Sequence, residues 1–170
     1  MARADSRIRL RRRRQGRTDY HRRLKLLRSE KPRAVVRLTN RRVIVQIVEY
    51  DADGDKVLIT VDGGTLVRDY GWPKDASRKS IPACRMAGYA AGKKAIEAGM
   101  ESAVLDIGLA NATVGNRRFA ALKGLIEAGM DVPHSEEILP SEERAGGQHI
   151  NATLNKAVEA CMKKIDEVVG

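Results

Sequence analysis

The chain has 170 residues, 42% hydrophobic and 32% charged, which suits one domain with a real core better than two. No apolar run approaches the roughly 18 residues a membrane span requires, and the arginine-rich start lacks the apolar stretch of a secretory signal peptide, so the chain reads as soluble and intracellular. The formal net charge of +10 is confined to one end: residues 1–42 hold 17 Lys+Arg against Asp5, Asp19 and Glu30, whereas the remainder holds 15 basic and 19 acidic residues.

Residues 1–17 carry Arg3, Arg7, Arg9, Arg11, Arg12, Arg13, Arg14 and Arg17, with Ile8 and Leu10 as the sizeable apolar side chains. Such a stretch cannot bury enough apolar surface to offset its ordering entropy, so it is predicted to be a disordered arm until an anionic partner orders it. From Thr18 the pattern changes. Thr18 and Asp19 are cap residues, and Tyr20, Leu24 and Leu27 recur at helical spacing among Arg22, Arg23, Lys25 and Arg28. A short basic amphipathic helix is expected, ending before Pro32.

Three β-branched runs follow, at 34–36, 43–48 and 57–61, and are predicted to be strands joined by hairpins. Asp51-Ala52-Asp53-Gly54-Asp55 lies between the second and third. Asp51, Asp53, Asp55 and Asp62 have calcium-loop spacing, but Lys56 stands at the sharp-turn glycine position and Asp62 replaces the bidentate Glu, so a hairpin is the better reading. A short helix through Leu66, Val67 and Tyr70 should end near Gly71-Trp72-Pro73.

Residues 81–98 form an alanine-rich segment with Gly88 and Gly92 four apart and a stop at Gly99, which predicts a long, closely packed helix. A short buried-type strand is expected at 104–107 and a helix at 116–128 that ends at Gly129. Residues 131–149 contain Pro133, Pro140, Gly146 and Gly147 without periodicity and read as an extended segment. The last helix, from about Asn151, places Leu154, Val158, Cys161, Ile165 and Val168 on one stripe. Cys84 and Cys161 lack a second Cys or His at metal-ligand spacing and read as buried thiols.

The fold class is therefore α/β: a mixed β-sheet with packed helices, a basic extended N-terminal arm and a C-terminal helical extension. The expected division is 1–30 for the basic RNA-binding arm and short helix, 31–130 for the α/β core, and 131–170 for the extended segment and last helix.

Catalytic signatures are thin. There is no Gly-x-Ser-x-Gly, phosphate loop or His-Glu-x-x-His, and no cofactor is implied. His134 and His149, with glutamates between them, form a weak metal candidate against a solvated acidic loop. Asp106, at a strand end, is the candidate for a metal-dependent RNA-processing nuclease, although two-metal chemistry needs several convergent carboxylates. Binding chemistry needs less: arginine forks bond phosphates bidentately and stack on bases, which suits folded RNA. The six aromatics are scattered, which disfavours a single-strand reader on a sheet face. A basic module for acidic proteins is a third reading.

The run from Arg11 to Leu27 (RRRRQGRTDYHRRLKLL), Lys31-Pro32-Arg33, Leu105-Asp106-Ile107-Gly108-Leu109 with Phe119-Ala120-Ala121-Leu122-Lys123-Gly124, and Val132-Pro133-His134-Ser135-Glu136-Glu137-Ile138 together carry a resemblance. In that order they resemble the archaeal and eukaryotic-type ribosomal proteins of the eighteenth large-subunit family. The resemblance implies a non-catalytic protein of the cytoplasmic ribosome that binds 5S rRNA and large-subunit rRNA in the central protuberance, beside neighbouring ribosomal proteins and away from any membrane. Carried over by position, the RNA-contact candidates are Arg11, Arg12, Arg13, Arg14, Gln15, Gly16, Arg17, Thr18, Asp19, Tyr20, Arg22, Arg23 and Lys25. Tyr20 is left between RNA stacking and the core, because Leu24 and Leu27 share its helical face.

Overall fold

The computed structural model describes residue 8 and residues 11–169; Arg3, Arg7, Arg9 and Leu10 of the predicted arm lie outside the described residues. The chain order is α1 (Arg11–Arg14), α2 (Tyr20–Leu27), β1 (Arg33–Leu38), β2 (Val43–Glu49), β3 (Lys56–Asp62), α3 (Gly63–Asp69), α4 (Ile81–Glu97), β4 (Val104–Asp106), α5 (Arg117–Glu127), α6 (Glu142–Gly146) and α7 (Ala152–Val169). The strands form one mixed sheet in the order β3-β2-β1-β4, with both hairpin pairings antiparallel and β1 parallel to β4.

Side chains alternate across a pleated strand, so the register assigns each residue to a face. Ala34 opposes Ile47, Val36 opposes Val45, and Leu38 opposes Val43. Among these, Ala34, Val36, Val43, Val45 and Ile47 are completely buried and join Val61 under α4. The opposite face carries Arg33 against Val48, Val35 against Gln46, and Arg37 against Ile44, with Asp106 beside Val35 on β4.

α4 lies between the sheet and two other helices, α5 and α7, which explains its small residues. A Cβ on Gly88 would overlap the Ala121 carbonyl, and a Cβ on Gly124 would overlap the Arg85 carbonyl, so each helix supplies a gap for the other's backbone. Ser80 caps α4 through its side chain, and the helix terminates at Gly99 with φ +80°. α7 packs on α4 through Leu154, Val158, Cys161 and Ile165, and Tyr89 Oη donates to Asp166 Oδ1 at 2.7 Å. Burial pushes the thiols of Cys84 and Cys161 up to about 12.

Three expectations change. Residues 11–17 are not extended: Arg11–Arg14 form one helical turn, closed by Gln15 N donating to Arg11 O at 3.0 Å and ended at Gly16 with φ +60°. The 131–149 segment is not wholly extended either. Asp131 bridges to Ser102, a 3-10 turn spans Glu136–Ile138, and α6 ends at Gly147 with φ +81°. These helical pieces are too short to show a period of 3.6 in the sequence. Val168 is 59% exposed, because the last turn of α7 rests on Val169, four residues beyond Ile165, instead of on the residue three beyond.

Candidate nucleic-acid interface

The N-terminal segment lies across the open face of the sheet. Asp19 caps α2 by accepting from the Arg22 amide at 3.0 Å, and that amide chiefly holds the Asp19 carboxyl below its ordinary value. No residue of α2 is buried. Its sheet-facing side is Asp19, Arg22, Arg23 and Leu26, which share one helical face and line a cleft of about 490 Å³ with Val35, Gln46 and Val48. Tyr20, Leu24 and Leu27 instead face the β2–β3 hairpin around Tyr50, Ala52 and Gly54. Tyr20 is half-buried at this margin and outside the core, and Leu24 is 55% exposed.

What holds the segment is a chain of alternating charges. Arg23 Nη2 donates to both oxygens of Asp55 at 2.8 and 2.9 Å, and Arg33 Nη2 donates to the same carboxylate. Arg33 Nη1 reaches Asp106 Oδ2 at 2.9 Å, while Arg37 Nη2 reaches Asp106 Oδ1 at 2.9 Å and Arg37 Nη1 the Asp106 carbonyl at 2.6 Å. The Gly108 amide completes the Asp106 shell at 2.8 Å, and Arg22 Nη1 donates to the Gly108 carbonyl. α2, β1, β4 and the β2–β3 loop are thus tied by one network under the cleft.

Burial alone would raise the Asp106 carboxyl. The charge and hydrogen bond of Arg37, the Gly108 amide and the charge of Arg33 outweigh it and hold the group below its ordinary value. Asp55 is held low in the same way, with Arg23 and Arg33 overcoming its burial. With its oxygens committed to two guanidiniums and an amide, Asp106 is a structural ion-pair partner, which removes the nuclease reading. Among the described residues no group of three or more His, Cys, Asp or Glu side chains could hold a metal. The hairpin aspartates are committed too: Asp51 pairs with Lys56, and Asp62 caps α3 and pairs with Arg42.

The sequence-derived candidates divide by what they touch. Arg11, Arg13, Arg14 and Arg17 are exposed and form no ion pair among the described residues; Gln15, Gly16 and Lys25 are exposed beside them. Arg12 and Arg17 line the cleft, and Arg12 donates from Nε to Thr18 Oγ1 at 3.1 Å. Asp19, Arg22 and Arg23 anchor the segment internally. Sequence reasoning assigned no such role to Arg33 and Arg37, and weighed Asp55 only as a calcium-loop or hairpin residue. The available signal was the alternation Arg33-Ala34-Val35-Val36-Arg37, which puts two cations on one face of a strand whose other face is apolar.

A family model described as "Ribosomal large subunit proteins 60S L5, and 50S L18" matches residues 5–99 and 85–135. The chain is similar to the large ribosomal subunit protein uL18 of Korarchaeum cryptofilum, at 48% identity over 89% of this chain and 76% of that protein. It is likewise similar to uL18 of Methanoregula boonei, at 45% identity over 95% of this chain and 90% of the relative, and to uL18 of Methanospirillum hungatei, at 48% over 84% and 80%. Since the family model matches residues 5–99 and 85–135 and these relatives cover 84–95% of the chain at 45–48% identity, the chain belongs to the family of ribosomal large subunit proteins that comprises 60S L5 and 50S L18.

Proposed function

We propose that the protein is a structural component of the large ribosomal subunit, binding 5S rRNA and helping to attach it to the large-subunit rRNA in the central protuberance. The carrying observation is a row of exposed arginines, Arg11, Arg13, Arg14 and Arg17, which form no ion pair among the described residues and stand on a segment whose own anchors are satisfied internally. Arg22 and Arg23 spend their forks on the protein, so the arm is mounted at a set place, with the exposed guanidiniums of Arg11, Arg13 and Arg14 outside the cleft and that of Arg17 along it. Guanidinium forks bind phosphates bidentately and release counterions, so close-packed RNA strands can approach one another across them. Gly16, with open space where a Cβ would stand, admits a backbone close to the arm. Of the other positions proposed from the sequence, Gln15 and Lys25 are exposed beside these arginines and Tyr20 stands outside the core, open to a base or ribose, whereas Arg12, Thr18, Asp19, Arg22 and Arg23 bond within the protein and hold the arm in place. Ribosomal proteins bordering the same RNA are the expected protein neighbours.

The family is one of structural ribosomal proteins, and the protein is not an enzyme. The test is titration of 5S rRNA against the full chain and a variant lacking residues 1–17. The variant should bind more weakly and with a shallower dependence on salt, by roughly 0.7–0.9 in the logarithmic slope for each phosphate no longer neutralised. Unchanged affinity and slope would remove the arm from the mechanism. Equal affinity of the full chain for 5S rRNA and for unrelated polyanions would remove the 5S assignment.

A further inference from the structure

A second concentration of positive charge lies away from the arm. The turn joining β1 to β2 contains Arg41 and Arg42, and the loop leading into α4 contains Arg78 and Lys79. The fold draws the two loops together. Val43 N donates to the Arg78 carbonyl at 3.0 Å, and Lys79 Nζ donates to the Asn40 carbonyl at 2.8 Å. A Cβ built on Gly63 would stand 2.7 Å from Arg78 Cβ and 3.2 Å from Arg42 Cβ, so that glycine is what allows the two arginines to flank one spot. The turn is braced by Thr39, whose Oγ1 donates to the Arg42 carbonyl at 2.8 Å and accepts from the Arg42 amide at 3.0 Å.

These four cations face one ion-paired carboxylate. Asp62 takes Arg42 Nη1 at 2.9 Å and leaves the Arg42 side chain 49% exposed, while Arg41 and Arg78 are exposed and make no ion pair among the described residues. None of the four lines the cleft beneath the arm. They sit where β1 ends and the helical layer begins, whereas the arm crosses the opposite, open face. Like charges brought together without compensation cost free energy unless a polyanion covers them.

Building on the reading of the protein as an rRNA binder, we propose that Arg41, Arg42, Arg78 and Lys79 form a second RNA contact, which grips the phosphodiester backbone of a segment different from the one held by the arm. The arm and this patch then act as two grips on two sides of one rigid domain. That gives a physical means of joining two RNA elements, which one flexible basic tail could not orient. The patch reads phosphates and not bases, because its cations sit on braced loops whose aromatic side chains, Tyr70 and Trp72, are buried in the core and offer no face for stacking.

The test places a chelated iron, a local source of hydroxyl radicals, on a single introduced cysteine. Asn40→Cys marks the patch and Gln15→Cys marks the arm, each in the full chain bound to 5S rRNA and large-subunit rRNA. Cys84 and Cys161 are buried with strongly raised thiols, so the introduced residue is the one that reacts. Backbone scission is expected from both positions, at different RNA segments. The double variant Arg41→Ala/Arg78→Ala should lower affinity for the assembled RNA on the order of tenfold and reduce the salt slope by up to about two, with thermal stability unchanged. Scission from the arm but none from the patch, or a patch found covered by a protein neighbour, overturns the second grip and leaves the arm reading standing. Scission at the same nucleotides from both positions overturns the two-segment arrangement. Absence of scission from both positions overturns both readings.

Discussion

Replacing Asp106 with Ala tests whether the charge network is what docks the basic segment on the sheet. The substitution strips Arg33 of one carboxylate and Arg37 of the one it pairs with among the described residues. Arg33 is 3% exposed, and among the described residues its Nε already has no partner and Asp55 would be the carboxylate left to it. Removing one member of a buried pair costs about 3–5 kcal/mol when the other charge is left uncompensated. Asp55 still compensates Arg33 in part, which favours the lower end of that range. Arg37, whose side chain is 42% exposed, contributes no more than about 1 kcal/mol, because solvent screens its pair. The expected loss is about 3–4 kcal/mol, read as a lower urea midpoint by circular dichroism at neutral pH with an unchanged slope. Arg33→Met combined with Asp106→Leu should recover much of the loss, because both buried charges go together. A loss under about 1 kcal/mol for Asp106→Ala, or a double variant no more stable than the single, would refute a network that carries stability.

Arg23→Ala and Arg13→Ala should separate anchoring from binding: the first lowers the melting temperature by freeing α2 from Asp55, while the second leaves it unchanged and reduces the salt slope of rRNA binding by just under one. Gly88→Ala should cost more than about 3 kcal/mol because its Cβ meets the Ala121 carbonyl, whereas Gly99→Ala, with open space around it, should cost only about 1 kcal/mol for its positive φ; equal melting temperatures would contradict the α4–α5 packing. Acid should weaken the fold through Asp55 and Asp106. Their folded values lie below the unfolded value of about 3.8, so the unfolded chain binds more protons, and the stabilisation is complete well above that pH and lost as pH falls through it toward the depressed values. Asp106→Asn should flatten that part of the pH–stability curve, measured by denaturant titration from pH 6 to pH 2.5; a curve unchanged in shape would show that the pairs contribute nothing.

Much of the fold was legible because its signals are local. Strand alternation at 43–48, the Asp-Gly pair of the hairpin, the Gly stops at Gly99 and Gly129 and the apolar stripe through Ile165 each depend on a few neighbouring residues. The basic segment was legible for the same reason, since charge density needs no partner to be counted. Helices as short as Arg11–Arg14 and Glu142–Gly146 were not, because a turn or so carries no period.

The chain by itself determined that positive charge gathers at one end and that the segment carrying it cannot form a core, because both follow from composition and covalent order. Tertiary structure alone decided which of those arginines are free. Arg23 meets Asp55, Arg33 meets Asp106, and Arg42 comes beside Arg78 across separations of tens of residues, through strand pairings and loop approaches that no local pattern encodes. Whether a guanidinium is spent on the protein or offered to RNA depends on the carboxylates within reach of it, and reach is a property of the folded chain.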